Sequence, residues 1–156
     1  MKPSQRLVEQ QLTLPTIAAP IGSYIPANRC GTLVLSSGQL PFRDGKLLFV
    51  GKVPTDVSLA QAAESAGVAM LNALAACAQA AGGIDKIQRV VRVCVFVNSA
   101  PDFYEHPKVA NGASDLLTRI FGEAGKHARS ALGAAALPMN APVEVELVVE
   151  ASIEQG

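Results

Sequence analysis

"ARSALGAAALPMNAPVEVELVV", residues 128 to 149, is the stretch on which the fold turns. It holds two runs of strand character. The first is small and apolar, with one guanidinium, Arg129, near its start. The second alternates: Val143, Val145, Leu147 and Val149 face one way, and Glu144, Glu146 and Glu150 sit at alternate positions with Val148 between them. Read as a hairpin around Pro138 to Pro142, Leu137 stands opposite Val143, and counting back sets Arg129 opposite Glu150 to Ser152. Glu144 then lies about six residues, on the order of 20 Å, from Arg129 along the sheet. An unpaired charge in an apolar strand is costly, so Arg129 needs a partner. Glu150 of the same chain is one, and a ligand carboxylate is another. Arg129 and Glu144 can share a site only where two subunits bring opposite ends of this segment together. By pattern alone, Glu144 and Glu146 read as the solvent side of an edge strand.

Working outward, "RVVRVCVFV" (89 to 97) is a further strand. Val91, Val93, Val95 and Val97 form one face, and Arg92, Cys94 and Phe96 the other. With both faces largely apolar it reads as central. Ahead of it, Ser58 and Gln61 form a capping-box pattern, followed by Ala63, Gly67, Met70, Leu71, Leu74 and Ala78 at helical spacing. Gly82-Gly83 stops that helix. Beyond the strand, Pro107 opens a second helix. Val109, Ala113, Leu116, Leu117 and Ile120 mark its buried stripe, and it ends near Gly122. "GTLVLSSGQLP" predicts a strand over about 32 to 39, and Asp44-Gly45 a turn, together a hairpin across 33 to 50. Residues 1 to 31, punctuated by Pro3, Pro15, Pro20 and Pro26, read as irregular.

The order is hairpin, helix, strand, helix, hairpin. That predicts an α+β fold in a single domain over 1 to 156, with an irregular N-terminal segment at 1 to 17. Its one mostly antiparallel sheet carries two helices on one face. The other face has no helix to cover it, yet it receives Cys94 and Phe96. It is the expected oligomer contact. A hydrophobic content of 49% against 17% charged residues points the same way.

Formal net charge is zero, with 13 basic and 13 acidic residues and only 4% aromatics. Neither a phosphate-neutralising stripe nor a stacking platform is present, so no nucleic-acid partner is expected. The three cysteines have no CxxC spacing, which argues against a zinc site or a disulfide framework. Cys77 and Cys94 read as small core residues. "MKPSQRLVEQQLTLPTIAAPIG" lacks the continuous apolar core of a signal peptide, and no run reaches about 18 apolar residues. No membrane span and a cytoplasmic location are expected. His106 reads as a surface loop residue, and His127 lies two residues from Arg129. Neither has the paired spacing of a metal site, so no metal is expected.

The segments "APIGSY", "LSSGQLP", "GKVPTDV" and "ARSALGAAALPMNAPVEVELVVEA" occur in the order seen in the RidA/YjgF family, also called L-PSP endoribonuclease-like or translation-initiation-inhibitor-like. The chain resembles that family over about residues 18 to 152. The resemblance implies a fold like Bacillus-type chorismate mutase, assembled as a homotrimeric barrel with helices outside and clefts between subunits. It implies cofactor-free hydrolysis of reactive 2-imino and enamino acids to 2-oxo acids and ammonia. By motif match, Arg129 would hold a substrate carboxylate as a bidentate fork and Glu144 would position or activate water. Tyr24 matches a cleft tyrosine, Ser37 and Gly38 the loop beside the substrate, and Asn111 a looser cleft position. His127 stands where the family commonly has Pro, and Ala131 where it often has Cys. These departures mark a divergent subgroup. Two other functions remain open: a non-catalytic trimer that binds small carboxylate metabolites, and an endoribonuclease or translation inhibitor.

Overall fold

The computed structural model describes residues 1–17, 19–20 and 22–153. Ile21 of "APIGSY" and the last three positions of the 1 to 156 domain lie outside the described residues. The elements run α1 (Pro3–Glu9), β1 (Ala27–Cys30), β2 (Leu33–Ser36), β3 (Phe42–Arg43), β4 (Lys46–Leu47), α2 (Leu59–Ala81), β5 (Ile87–Asn98), α3 (His106–Phe121), β6 (Ala128–Ala134) and β7 (Val143–Ala151). Among the described residues, five strands form one mixed sheet in the order β1-β2-β7-β5-β6, and β3 with β4 makes a separate ladder. The fold is α+β.

The capping box forms as the sequence predicts. The Ser58 hydroxyl accepts from Gln61 N at 3.1 Å, and Gln61 Oε1 accepts from Ser58 N at 3.0 Å. Gly82 ends α2 in the left-handed region at φ 85°, where glycine carries no Cβ penalty. Helices α2 and α3 touch at Gly112, where a Cβ would run into the Ala63 carbonyl. Both helices pack their apolar stripes on Val93, Val95, Val97, Val143, Val145, Leu147 and Val149, all fully buried. At the core centre, truncating Leu117 to Ala would cost about 2–5 kcal/mol.

Four expectations change. The segment expected to be irregular contains α1, tied to the body where Ser4 N and Oγ donate to the Asp85 carboxylate at 2.9 and 2.7 Å. It also contains β1, which is the hairpin partner of β2. The Asp44-Gly45 turn joins only the short β3–β4 ladder, so there is no hairpin across 33 to 50. In β5 the register shifts between Val90 and Arg92. This bulge hands the inner position to Val90, and Val91 is only half-buried.

The fourth change concerns the opening stretch. β6 and β7 are not a hairpin. β6 pairs with β5 in parallel, and β7 lies between β2 and β5, antiparallel to both. A parallel pair needs a crossover, and α3 supplies it. Arg129 therefore stands beside Val93, while Glu150 stands beside Arg89 and Leu33. Glu150 accepts from Arg89 Nε at 2.6 Å, so it is not the partner of Arg129. Glu144 and Glu146 belong to an interior strand, not an edge.

Register neighbours share a face of the sheet. Arg129 and Ala131, beside Val93 and Val95, are on the helix face. Glu144, beside Phe96, is on the uncovered face. That face also carries Leu33, Leu35 and Leu132 at 39%, 42% and 42% exposure, an apolar surface with no helix over it.

Candidate functional site

The first cluster forms where α3 lies over β6. Pro107, Asn111 and Ser114 follow at steps of four and three along α3, so they line one row of the helix. Arg129 reaches that row. Its Nη1 donates to Asn111 Oδ1 at 2.8 Å and to Ser114 Oγ at 3.1 Å, and its Nη2 donates to the Pro107 carbonyl at 3.4 Å. All three acceptors are neutral. No carboxylate lies within ion-pair distance of Arg129 among the described residues. Both Nη1 protons and one Nη2 proton are engaged, which leaves Nε–H and a second Nη2–H. Those two donors form the side-on fork of a guanidinium, the geometry that takes a carboxylate bidentately.

His127 completes this cluster. Its Nδ1 lies 2.6 Å from the Gly125 carbonyl and its Nε2 2.9 Å from Ser114 Oγ. Ala131, two residues beyond Arg129 on the same face, packs against the core.

The second cluster lies at the start of β7. Gln39 and Val145 exchange backbone hydrogen bonds of 2.8 and 3.0 Å, which brings the Ser37–Gly38 loop against Glu144. A Cβ on Gly38 would stand 2.9 Å from the Glu144 carboxyl carbon, so only glycine leaves this carboxylate its place. Glu144 is half-buried. Burial, and secondarily the charge of Glu146, push its pKa above the ordinary value. No described residue donates a hydrogen bond to its carboxylate. Ser37 donates its hydroxyl to the Ile25 carbonyl at 2.6 Å and its N–H to the Pro26 carbonyl at 2.8 Å. These bonds tie the exposed Tyr24 loop to the Glu144 cluster.

A buried polar network fixes the chain that enters β7. Lys52 Nζ donates to Asn98 Oδ1 at 2.7 Å and to the Ala135 carbonyl at 2.5 Å, and Asn98 Nδ2 donates to Asn140 Oδ1 at 3.0 Å. Asn98 is 1% exposed, so its full set of partners offsets its desolvation.

The candidate residues thus divide in two. Arg129, Asn111 and His127 meet under α3, with Ala131 next along the strand. Glu144 and Gly38 meet at the start of β7, with Ser37 next along the chain, and Tyr24 lies on the exposed loop that Ser37 bonds through Ile25 and Pro26. Within one chain the two groups are on opposite faces of the sheet. Leu147, in line with Arg129 across β5, is three residues from Glu144. The separation is therefore about 10 Å along the strand and about 10 Å across it. Sequence reading missed Ser114, which links Arg129 to His127. The polar row Pro107–Asn111–Ser114, opposite the apolar stripe of α3, is the signal that could have found it. A cavity of about 630 Å³ lies elsewhere, between residues 13–17, the β3–β4 ladder and α2, and includes neither Arg129 nor Glu144. Among the described residues, no helix is long and apolar enough to cross a membrane.

Residues 4–151 match a family model described as "YjgF/chorismate mutase-like, putative endoribonuclease". The chain belongs to the YjgF family. It is 40% identical over 140 residues to protein TCP17 of Trypanosoma cruzi, covering 89% of this chain and 88% of that protein. A crystal structure from Shewanella oneidensis MR-1, titled "a putative endoribonuclease", superposes with a TM-score of 0.92 at 38% identity, covering 96% of this chain and 99% of the other. Protein Atu1372 of Agrobacterium tumefaciens, of unknown function, gives a TM-score of 0.88 at 41% identity, covering 97% and 92%.

Proposed function

We propose that this protein is a cofactor-free hydrolase of reactive 2-imino and enamino acids, acting as a homotrimer. In each intersubunit cleft, Arg129 of one chain would face Glu144 of a neighbouring copy. The carrying observation is the guanidinium of Arg129. It is half-buried, held by three neutral acceptors, and its side-on fork has no described protein partner. A ligand carboxylate completes it.

The chemistry asks little more. An imine carbon is already electrophilic, so catalysis consists of holding it beside an oriented water. The fork fixes the carboxylate end. Glu144 takes a proton from the attacking water as its oxygen bonds to the imine carbon, and returns a proton to nitrogen. The carbinolamine then passes its hydroxyl proton to nitrogen as the C–N bond breaks, releasing ammonia and a 2-oxo acid. An enamine enters the same route after protonation at its methylene carbon. A carboxylate with a raised pKa suits both proton acceptance and return. The ribonuclease wording carried by relatives is less favoured, because this chain has zero net charge and 4% aromatics.

The test generates 2-iminopropionate in place with an amino-acid oxidase and traps it with semicarbazide. The protein is expected to lower the trapped yield and raise free pyruvate. Trapping indistinguishable from buffer across several imino acids would sink the hydrolase reading. A 2-oxo acid bound without turnover would favour the alternative of a carboxylate-binding trimer.

A further inference from the structure

We propose that His127 is a positioning residue that acts through Ser114 to set which donors Arg129 offers a ligand carboxylate. The proposal rests on the carboxylate-anchoring role given to Arg129 above.

Donor and acceptor chemistry fixes the order of the chain. The Gly125 carbonyl can only accept, so the His127 nitrogen 2.6 Å away, Nδ1, carries the proton. With one proton on the ring, Nε2 is then an acceptor, 2.9 Å from Ser114 Oγ. Ser114 owns a single hydroxyl proton. With that proton on His127, the Ser114 oxygen presents only lone pairs to Arg129 Nη1, which donates at 3.1 Å. A serine in mid-helix can turn its hydroxyl back to the carbonyl four residues earlier. Here that turn is withheld, because His127 claims the proton.

The consequence reaches the ligand. Nη1 has two protons, and Asn111 and Ser114 take one each. While both are held, the guanidinium plane is fixed and its remaining fork is Nε–H with Nη2–H. If Ser114 rotates away, one Nη1 proton is released, and the plane, then held only by Asn111 and Pro107, is less firmly fixed against turning about Cδ–Nε and the preceding bonds. The anchor would persist, but its direction would not. His127 itself touches neither the fork nor Glu144, so its effect is carried wholly by Ser114.

The experiment measures binding of 2-oxobutyrate by titration calorimetry, with KM and kcat for imine hydrolysis alongside. His127→Phe keeps a ring but removes the acceptor. It is expected to weaken 2-oxobutyrate about three- to tenfold and to raise KM more than it lowers kcat, as for loss of one neutral hydrogen bond. His127→Gln, whose amide oxygen can accept from Ser114, is expected to restore binding to within about twofold of wild type. In a Ser114→Ala background, His127→Phe is expected to add nothing, because the path is already cut. His127→Phe binding like wild type, or an undiminished effect of His127→Phe in the Ser114→Ala background, would overturn the proposal. If Arg129→Ala abolishes binding while His127→Phe leaves it intact, only the positioning role falls. If wild type binds no 2-oxo acid, or Arg129→Ala binds it as well as wild type, the anchoring role falls and the positioning role with it.

Discussion

The two halves of the candidate site are built differently. Arg129 sits in a finished socket, where three neutral acceptors hold its plane and His127, behind them, holds one of those acceptors, Ser114. Glu144 has no described hydrogen-bond donor, only burial and the cleared space over Gly38. Binding an anion rewards a fixed fork. Moving protons rewards a carboxylate whose charge is poorly supported and therefore easily exchanged. The contrast separates anchoring from chemistry, and substitutions on each side should separate in the same way.

The largest effect is expected at the socket. Arg129→Ala should cost roughly 10²–10³-fold in kcat/KM, since a charge-assisted bidentate contact is worth about 3–4 kcal/mol. Arg129→Lys should recover little of it, because a point charge cannot reproduce the fork. Steady-state kinetics over a range of imino acids would check both. Equal losses in kcat and kcat/KM with KM unchanged would break the contrast.

Next comes Glu144→Gln, expected to lower kcat about 10²-fold with little change in the Kd for 2-oxobutyrate. The same substitution carries a sign test in stability. Glu144 has a raised folded-state pKa, so the folded protein holds its proton more tightly than the unfolded chain does. The stabilisation from that proton is present below the unfolded carboxylate value and is lost as pH rises through the folded one. At neutral pH the wild type therefore bears the cost of a half-buried charge. Glu144→Gln should melt at or above the wild-type temperature at pH 7, with the gap narrowing as pH falls toward about 4.5 and changing little below it. A Glu144→Gln protein that melts well below wild type at neutral pH would contradict the desolvated-carboxylate picture.

Smaller again is Gly38→Ala. Its new methyl would displace the Glu144 carboxyl group, a flexible side-chain end, so the fold should survive. The expected result is about a tenfold loss in kcat, with 2-oxo acid binding retained, read by calorimetry beside kinetics. The smallest effect belongs to Glu150→Gln. It breaks an exposed ion pair with Arg89 and should change stability by less than about 1 kcal/mol and activity not at all. A large loss of activity there would revive Glu150 as a partner of Arg129.

The sequence made local features plain and long-range pairing obscure. The Ser58–Gln61 cap, the Gly82 stop and the α3 stripe were legible because each depends on residues within a few positions of one another. The strand alternation of Val143 to Val149 gave the correct inner face for the same reason. The β6–β7 hairpin was misread because adjacency in sequence was taken for adjacency in the sheet. Two prolines, with Met139 and Asn140 at positive φ between them, make a wandering connection and not a tight turn. Strand 89–97, helix 107–121 and strand 128–134 already had the form of a crossover unit. Among the candidate residues, Arg129, Glu144, Gly38 and Asn111 were singled out by motif. Ser114 was not, since its role depends on which helix face α3 turns to β6.

The shared cleft is tested most directly by mixing Arg129→Ala and Glu144→Gln proteins, each nearly inactive alone, under conditions that let subunits exchange. If each cleft draws Arg129 from one chain and Glu144 from its neighbour, a one-to-one mixture should regain about a quarter of wild-type imine hydrolysis, the fraction of clefts intact at both positions. No recovery on mixing, with exchange verified by mass, would place the two residues in the same chain's site or in no common site.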